Sequence, residues 1–136
     1  MTVDRRVVHF KGWHYGWLQT GIELGAQELN NMELQNSWTA VVEGEPIACA
    51  GIMTYWPGRY HAWAYMSPAT GRHMRWLTAE TQKVLQKVEG RLEMAVLQGF
   101  KAGHKWARVL GFSVEAPLMK RYGPDGADYV GYVRFN

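Results

Sequence analysis

The stretch "YMSPATGRHMRWLTAETQKVL", residues 65–85, decides the fold because it joins a strand pattern to a helix pattern. Residues 60–66 alternate between two faces, which predicts a strand. From Met74 to Val88 the apolar residues recur at helical spacing, and Gly90 stands where a helix commonly ends. The turn between these two patterns contains one glycine and several basic residues. Because a helix N-terminus presents free backbone N–H groups and the positive end of the helix dipole, this turn suits an anion such as a phosphate.

The turn therefore supplies the candidate binding residues. A cation at a helix N-terminus is unfavourable by about 0.3–1 kcal/mol, because it faces the positive end of the helix dipole. Arg72, His73 and Arg75 all stand there, and a bound anion would explain why they are tolerated. A helix start that only faces water is the alternative, and the sequence leaves both open. The residues of the strand end, turn and helix start that would surround such an anion are Met66, Ser67, Thr70, Gly71, Arg72, His73 and Arg75.

The flanking sequence predicts the rest of a mixed α/β (α+β) domain that covers residues 1–136. Strands are expected over 3–8, 38–42, 47–55, 60–66, 91–97, 113–119 and 129–135. Helices are expected over 74–88 and 102–110, with one or two more inside 12–29. The order is β-α(α)-β-β-β-α-β-α-β-β, which gives a mostly antiparallel central sheet of six or seven strands flanked by helices.

Composition limits the function classes. The chain has 136 residues, a formal net charge of +3 and one cysteine, Cys49, which we expect to be a buried small hydrophobe. No apolar run is long enough for a membrane span, and no signal peptide or metal-ligand spacing is present, so we expect a cytoplasmic protein without a metal. A nucleic-acid role ranks last, because it rests on mild basicity and on one helix face formed by Lys101, His104, Lys105 and Arg108. A solvated charged face is the alternative for these four residues.

The seven tryptophans are many for this length. We expect most of them to lie in the core, since large aromatic side chains dominate burial. Trp56, Trp63 and Trp76 are the candidates for lining a pocket or a protein interface.

The element order, with "VLGF" at 109–112 closing the last helix, resembles the GNAT superfamily of acyl-CoA N-acyltransferases over nearly the whole chain. The resemblance implies that acetyl-CoA or another acyl-CoA binds with its pyrophosphate on the turn Met66–Arg75, and that an amine accepts the acyl group. Many GNAT proteins have a tyrosine general acid where this chain has Ala107, so the resemblance is incomplete at that position. For the base, this chain offers Glu93 and His61 as the candidate catalytic residues.

Three segments show a narrower resemblance, to the small GNAT-like proteins of tailed bacteriophages. They read "HMRWLT" at 73–78, "GHKWARVLGF" at 103–112 and "RYGPDGADYVGYVRF" at 121–135. This resemblance implies an alternative function, that of a non-catalytic virion, assembly or host-interaction protein. Its partner would be a phage or host protein, and its location the bacterial cytoplasm or the virion.

Overall fold

The computed structural model describes residues 2–136, and its elements follow the expected order. The strands are β1 (Arg5–His9), β2 (Asn36–Val42), β3 (Glu45–Trp56), β4 (Arg59–Met66), β5 (Arg91–Leu97), β6 (Ser113–Met119) and β7 (Tyr129–Phe135). The helices are α1 (Ala26–Leu34), α2 (Met74–Leu85) and α3 (Lys101–Val109), with 3-10 helices at Gly12–Trp17 and Pro68–His73.

Within the described residues, the strands form one seven-stranded sheet in the order β1-β2-β3-β4-β5-β7-β6. The pairs β1–β2, β2–β3, β5–β7 and β6–β7 are antiparallel. β4 and β5 pair in parallel through three residues of each strand, Arg59–His61 and Arg91–Glu93. The expected mixed α/β class and mostly antiparallel sheet are confirmed.

The helices differ from expectation at their ends. The helical region expected over 12–29 is split between the 3-10 helix Gly12–Trp17 and α1, because Gly21 takes a positive φ of 77° and Gly25 lies at the N-cap of α1. Helix α2 ends at Leu85 rather than at Val88. The side-chain amide of Asn136 donates to the carbonyl oxygens of Leu85 and Val88, at 2.7 and 2.8 Å, so these carbonyls at the helix end are satisfied without further helix.

The chain divides into two compact units. The first holds the residues up to Thr54 together with Ala62–Leu77, and the second holds Tyr55–His61 together with Thr78–Asn136. The first unit has two buried clusters, one of Phe10, Tyr15, Leu18, Met32 and Cys49 and one of Ala40, Val42, Ile47, Ala48 and Leu77. Cys49 is buried as expected, and burial raises the pKa of its thiol to about 12.

The second unit is built on β5, β7 and α3. Leu92 and Ala107 are completely buried, and Tyr132 lies between β5 and β6 in the sheet. The chain enters β5 at Gly90, which has a φ of +125°, and the next residue donates its N–H to the carbonyl oxygen of Gly58 at 2.8 Å.

The expectation that most tryptophans lie in the core is wrong. No tryptophan among residues 2–136 is fully buried, and Trp13, Trp17 and Trp56 are exposed by 66%, 54% and 57%. The half-buried ones are Trp38, Trp63, Trp76 and Trp106. Partial exposure lets the polar end of the indole keep a partner: the N–H of Trp63 donates to Gln35 at 2.8 Å and that of Trp106 to Thr78 at 2.9 Å.

Candidate functional site

The turn after β4 begins with a capped helix start. Ser67 is the N-cap of the 3-10 helix Pro68–His73, and its hydroxyl accepts the N–H of Ala69 at 3.1 Å. The N–H of Thr70 donates to the carbonyl of Ser67 at 3.3 Å, and the N–H of Ser67 donates to Ile47 at 2.8 Å. Pro68 has no N–H to offer. The first backbone donors of the turn therefore already have acceptors within the protein.

The predicted binding residues of this turn separate into two groups. Ser67, Thr70 and His73 are buried, and half-buried Met66 packs on the cluster that contains Leu77. The exposed group is Gly71, Arg72 and Arg75. A side chain added at Gly71 would have no neighbour within 4 Å, so the approach to the backbone there is open.

Arg72 and Arg75 have no ion-pair partner among residues 2–136. They lie at positions i and i+3 of a continuous helical segment, so they project from one side of it. Two uncompensated guanidinium groups beside an open backbone form a surface that suits a phosphate or diphosphate.

Arg5 also reaches this turn, and no local sequence signal indicates it. Its Nε donates to Nδ1 of His73 at 3.3 Å, across 68 residues of sequence. Its guanidinium also lies over the ring of Trp76, 5.9 Å from the centroid. Nδ1 of the buried His73 accepts this bond, so the imidazole holds one edge of the Arg5 guanidinium.

In the second unit, Glu93 is held by two arginines. Arg59 binds it through both carboxylate oxygens, at 2.5 and 3.1 Å, and Arg91 adds a third bond at 2.8 Å. Arg91 in turn pairs with Glu115. The guanidinium of Arg59, together with that of Arg91, lowers the pKa of Glu93 from its ordinary value near 4.5 to about 2. A carboxylate with this pKa is a weak proton acceptor near neutral pH.

His61 is the register partner of Glu93 and has the better chemistry for accepting a proton. Its ring meets the edge of Tyr55 with the centroids 6.3 Å apart. Burial lowers the pKa of His61, although the charge of Glu93 acts in the opposite direction. The imidazole is therefore unprotonated near neutral pH, which is the state that a general base needs.

Position 107, where the resemblance described above places a tyrosine general acid in many GNAT proteins, offers no proton donor. Ala107 is completely buried in α3, and the indole N–H of its neighbour Trp106 is bound to Thr78. On the same helix, His104 contacts the hydroxyl of Tyr132 at 2.7 Å and the carbonyl of Gln98 at 2.8 Å. The remaining basic residues of the predicted α3 face, Lys101, Lys105 and Arg108, are exposed.

Over residues 2–136, no cluster of three His, Cys, Asp or Glu side chains is arranged to hold a metal ion. In the same residues, no helix is long and apolar enough to cross a membrane.

Comparison with known proteins places the fold. The sequence matches no protein-family model and no curated protein. The structure superposes on Ard1 from Thermoplasma volcanium with a TM-score of 0.80, at 11% identity over 96% of each chain. A GNAT-family acetyltransferase from Streptococcus pneumoniae gives 0.74 at 12% identity, over 98% of this chain and 100% of that one. The ribosomal-protein-S18-alanine N-acetyltransferase from Escherichia coli gives 0.73 at 15% identity, over 96% and 92%. The chain therefore has the fold of the GNAT acetyltransferases.

Proposed function

We propose that this protein binds acyl-CoA through its Ser67–Arg75 turn and transfers the acyl group to an amine. The observation that carries the proposal is the pair of exposed, unpaired arginines, Arg72 and Arg75, at the start of the helix that follows β4. Two cations without counter-ions at a helix N-terminus are unfavourable unless an anion joins them. The GNAT fold supports acyl-CoA as the source of that anion.

Recognition of the pyrophosphate rests on side chains in this chain. The N–H groups of Ser67, Ala69 and Thr70 already have acceptors, so the guanidinium groups of Arg72 and Arg75 supply the main contacts. Gly71 leaves the backbone beside them uncovered. The proposed site is accordingly more sensitive to loss of an arginine, and to salt, than one built on backbone donors.

When bound, acyl-CoA supplies a thioester, an activated acyl group that an amine nitrogen attacks with loss of the CoA thiolate. The attacking amine must first lose a proton. Of the two candidate bases, we assign this step to His61, because its imidazole is uncharged and can accept a proton. The carboxylate of Glu93 is ion-paired with two arginines, which lowers its pKa and makes it a weak base. No side chain at position 107 protonates the thiolate, so this chain relies on orientation of the substrates and on water.

A thermal unfolding titration with CoA and acetyl-CoA tests the binding step. A ligand at 100 times its Kd stabilises a protein by about 2.7 kcal/mol, which raises the Tm of a domain of this size by several degrees. We expect Arg72→Ala/Arg75→Ala to lose this shift. Lys83→Ala/Lys87→Ala is the control, because it also removes two positive charges, but at the far end of helix α2 and in the turn that follows it. Equal shifts in both double variants would refute the assigned site.

The transfer step is tested separately, by mass spectrometry of small amines and peptides incubated with acetyl-CoA. We expect a product one acetyl group heavier. His61→Gln should slow its formation while leaving the Kd for CoA unchanged. Loss of CoA affinity in His61→Gln would show that the residue has a structural role.

Two observations favour a second function, that of a protein that keeps the fold without catalysing acyl transfer. The buried Ala107 and the doubly paired Glu93 both lack the proton-transfer ability that the reaction uses. In that case CoA binds, or fails to bind, without acetyl transfer to any amine, and His61→Gln has no effect. For such a protein we propose the role that the resemblance to small GNAT-like phage proteins implies, in the virion, in assembly or in host interaction. Its partner would be a phage or host protein.

A further inference from the structure

Arg5 differs from its neighbour Arg6 in what its side chain meets. Successive side chains of a strand point to opposite faces of the sheet. Arg6 shares a face with Asp4 and pairs with it at 3.0 Å. Arg5 points to the other face, where it donates to His73 and lies over Trp76.

The contacts of Arg5 occupy only part of its guanidinium. Its Nε–H is bound to Nδ1 of His73, while its two terminal nitrogens have no partner among residues 2–136. Arg5 is exposed and His73 is 8% exposed, so the histidine fixes the inner edge of the group and the outer edge faces water. An arginine held in this way presents a fixed fork of donors, the geometry that binds phosphate oxygens in pairs.

Arg5 therefore joins Arg72 and Arg75 as a third guanidinium without a carboxylate. The residues that it contacts, His73 and Trp76, directly follow Arg72 and Arg75 in the sequence. Elsewhere in the described chain, Arg6, Arg59 and Arg91 pair with carboxylates. Arg108, Arg121 and Arg134 also have no ion pair among the described residues, but they belong to the second unit, whereas Arg5, Arg72 and Arg75 belong to the first. Three uncompensated guanidinium groups around one turn match a ligand with more than one phosphate group.

We propose that Arg5 binds the ribose 3′-phosphate of CoA, while Arg72 and Arg75 bind the diphosphate, so that the protein prefers CoA to 3′-dephospho-CoA. This inference rests on the proposed function. Arg5 suits the third phosphate because it reaches the turn from β1, a different element from the one that carries the other two arginines. A purely structural role for Arg5, as a brace on His73 and Trp76, is the competing explanation.

Isothermal titration calorimetry distinguishes phosphate binding by Arg5 from a purely structural role. The ligands are CoA and 3′-dephospho-CoA, and the proteins are the wild type, Arg5→Ala and Arg6→Ala. We expect the wild type to bind CoA about tenfold more tightly than 3′-dephospho-CoA, the size of one hydrogen-bonded contact to a charged group. Arg5→Ala should weaken CoA about tenfold and 3′-dephospho-CoA less than twofold, which removes the preference. Arg6→Ala loses the same charge from the same strand and should keep the preference.

The outcomes distinguish this inference from the proposed function. Equal binding of both ligands by the wild type, or equal weakening of both by Arg5→Ala, overturns the role of Arg5 and leaves CoA binding intact. Binding of neither ligand overturns both proposals. If Arg5→Ala lowers the folded fraction, Arg5→Lys provides the same comparison with the charge kept and the fork removed, and we expect it to lose most of the preference.

Discussion

Replacing Glu93 by glutamine tests whether this carboxylate is a structural anion or a proton acceptor. Arg59 donates hydrogen bonds to both of its carboxylate oxygens, and Arg91 donates to one. An amide presents one oxygen and no charge, so Glu93→Gln leaves Arg59 without a carboxylate partner, while Arg91 retains Glu115. We expect the variant to fold, with a lower free energy of unfolding near neutral pH.

The pKa of Glu93 sets the magnitude. A shift of the Glu93 pKa from 4.5 to about 2 corresponds to at most ~3–4 kcal/mol. Water screens the partly exposed guanidinium of Arg59, which reduces the expected loss to about 1–2 kcal/mol. Since the pKa is lower in the folded state, the unfolded chain binds the proton first as the pH falls. The contribution is therefore complete above pH 4.5 and is lost as the pH falls toward 2.

Urea unfolding of the wild type and Glu93→Gln at pH 7, 5, 4 and 3 measures this difference in free energy of unfolding. We expect it to stay at about 1–2 kcal/mol down to pH 5 and to shrink at pH 4 and pH 3. The control is Glu89→Gln, since Glu89 is exposed and has no ion pair within residues 2–136, and its difference should stay near zero. A difference for Glu93→Gln that is absent at pH 7, or constant down to pH 3, would refute the reasoning.

Three further substitutions test local packing in the two units. Gly90→Ala should cost about 3–4 kcal/mol in urea unfolding, because φ is +125° and the new Cβ would lie 2.5 Å from the carbonyl oxygen of Gly58; a loss below 1 kcal/mol contradicts this. Thr39→Val removes the hydroxyl that lies 2.7 Å from Nδ1 of the buried His14. We expect it to lower stability by about 1–2 kcal/mol in thermal unfolding, and an unchanged Tm would count against that bond. Ala107→Tyr introduces the tyrosine that many GNAT proteins have at the position the resemblance matches, but it overfills a fully buried position. It should destabilise by about 1–3 kcal/mol without faster acetyl transfer, so a faster and equally stable variant would show room for the acid.

Local pattern was sufficient for the strands of the second unit. The expected bounds of β5, β6 and β7 agree with the structure to the residue. In β5, Leu92, Met94 and Val96 alternate with Arg91, Glu93 and Ala95, and the turn 122–128, which contains glycine and proline, separates β6 from β7. Helix α2 ends earlier than the apolar pattern predicts. The side chain of Asn136, 51 residues after Leu85, donates to the carbonyl of Leu85 at the end of the helix. Such a partner is set by the tertiary structure.

The candidate site shows the same division. The basic turn could be predicted because Arg72 and Arg75 stand next to a recognisable strand end and helix start. The partners of the other charged groups could not, since Arg5 meets His73 across 68 residues and Arg59 meets Glu93 across 34. The expectation that most tryptophans lie in the core is wrong because it rests on hydrophobicity alone. Hydrophobicity does not account for the hydrogen bond that an indole N–H needs, which a half-exposed position allows.

The burial of Cys49 has a practical consequence for enzymology. Its thiol is 2% exposed, and burial raises its pKa to about 12, so almost none of it is thiolate at the slightly alkaline pH used with disulfide dyes. It is also the single cysteine of the chain. In a test of the proposed acyl transfer, a dye that reports free sulfhydryls would therefore record any CoA released against almost no background from the folded protein. The same dye would report unfolding, because denatured chains would each add one reactive sulfhydryl.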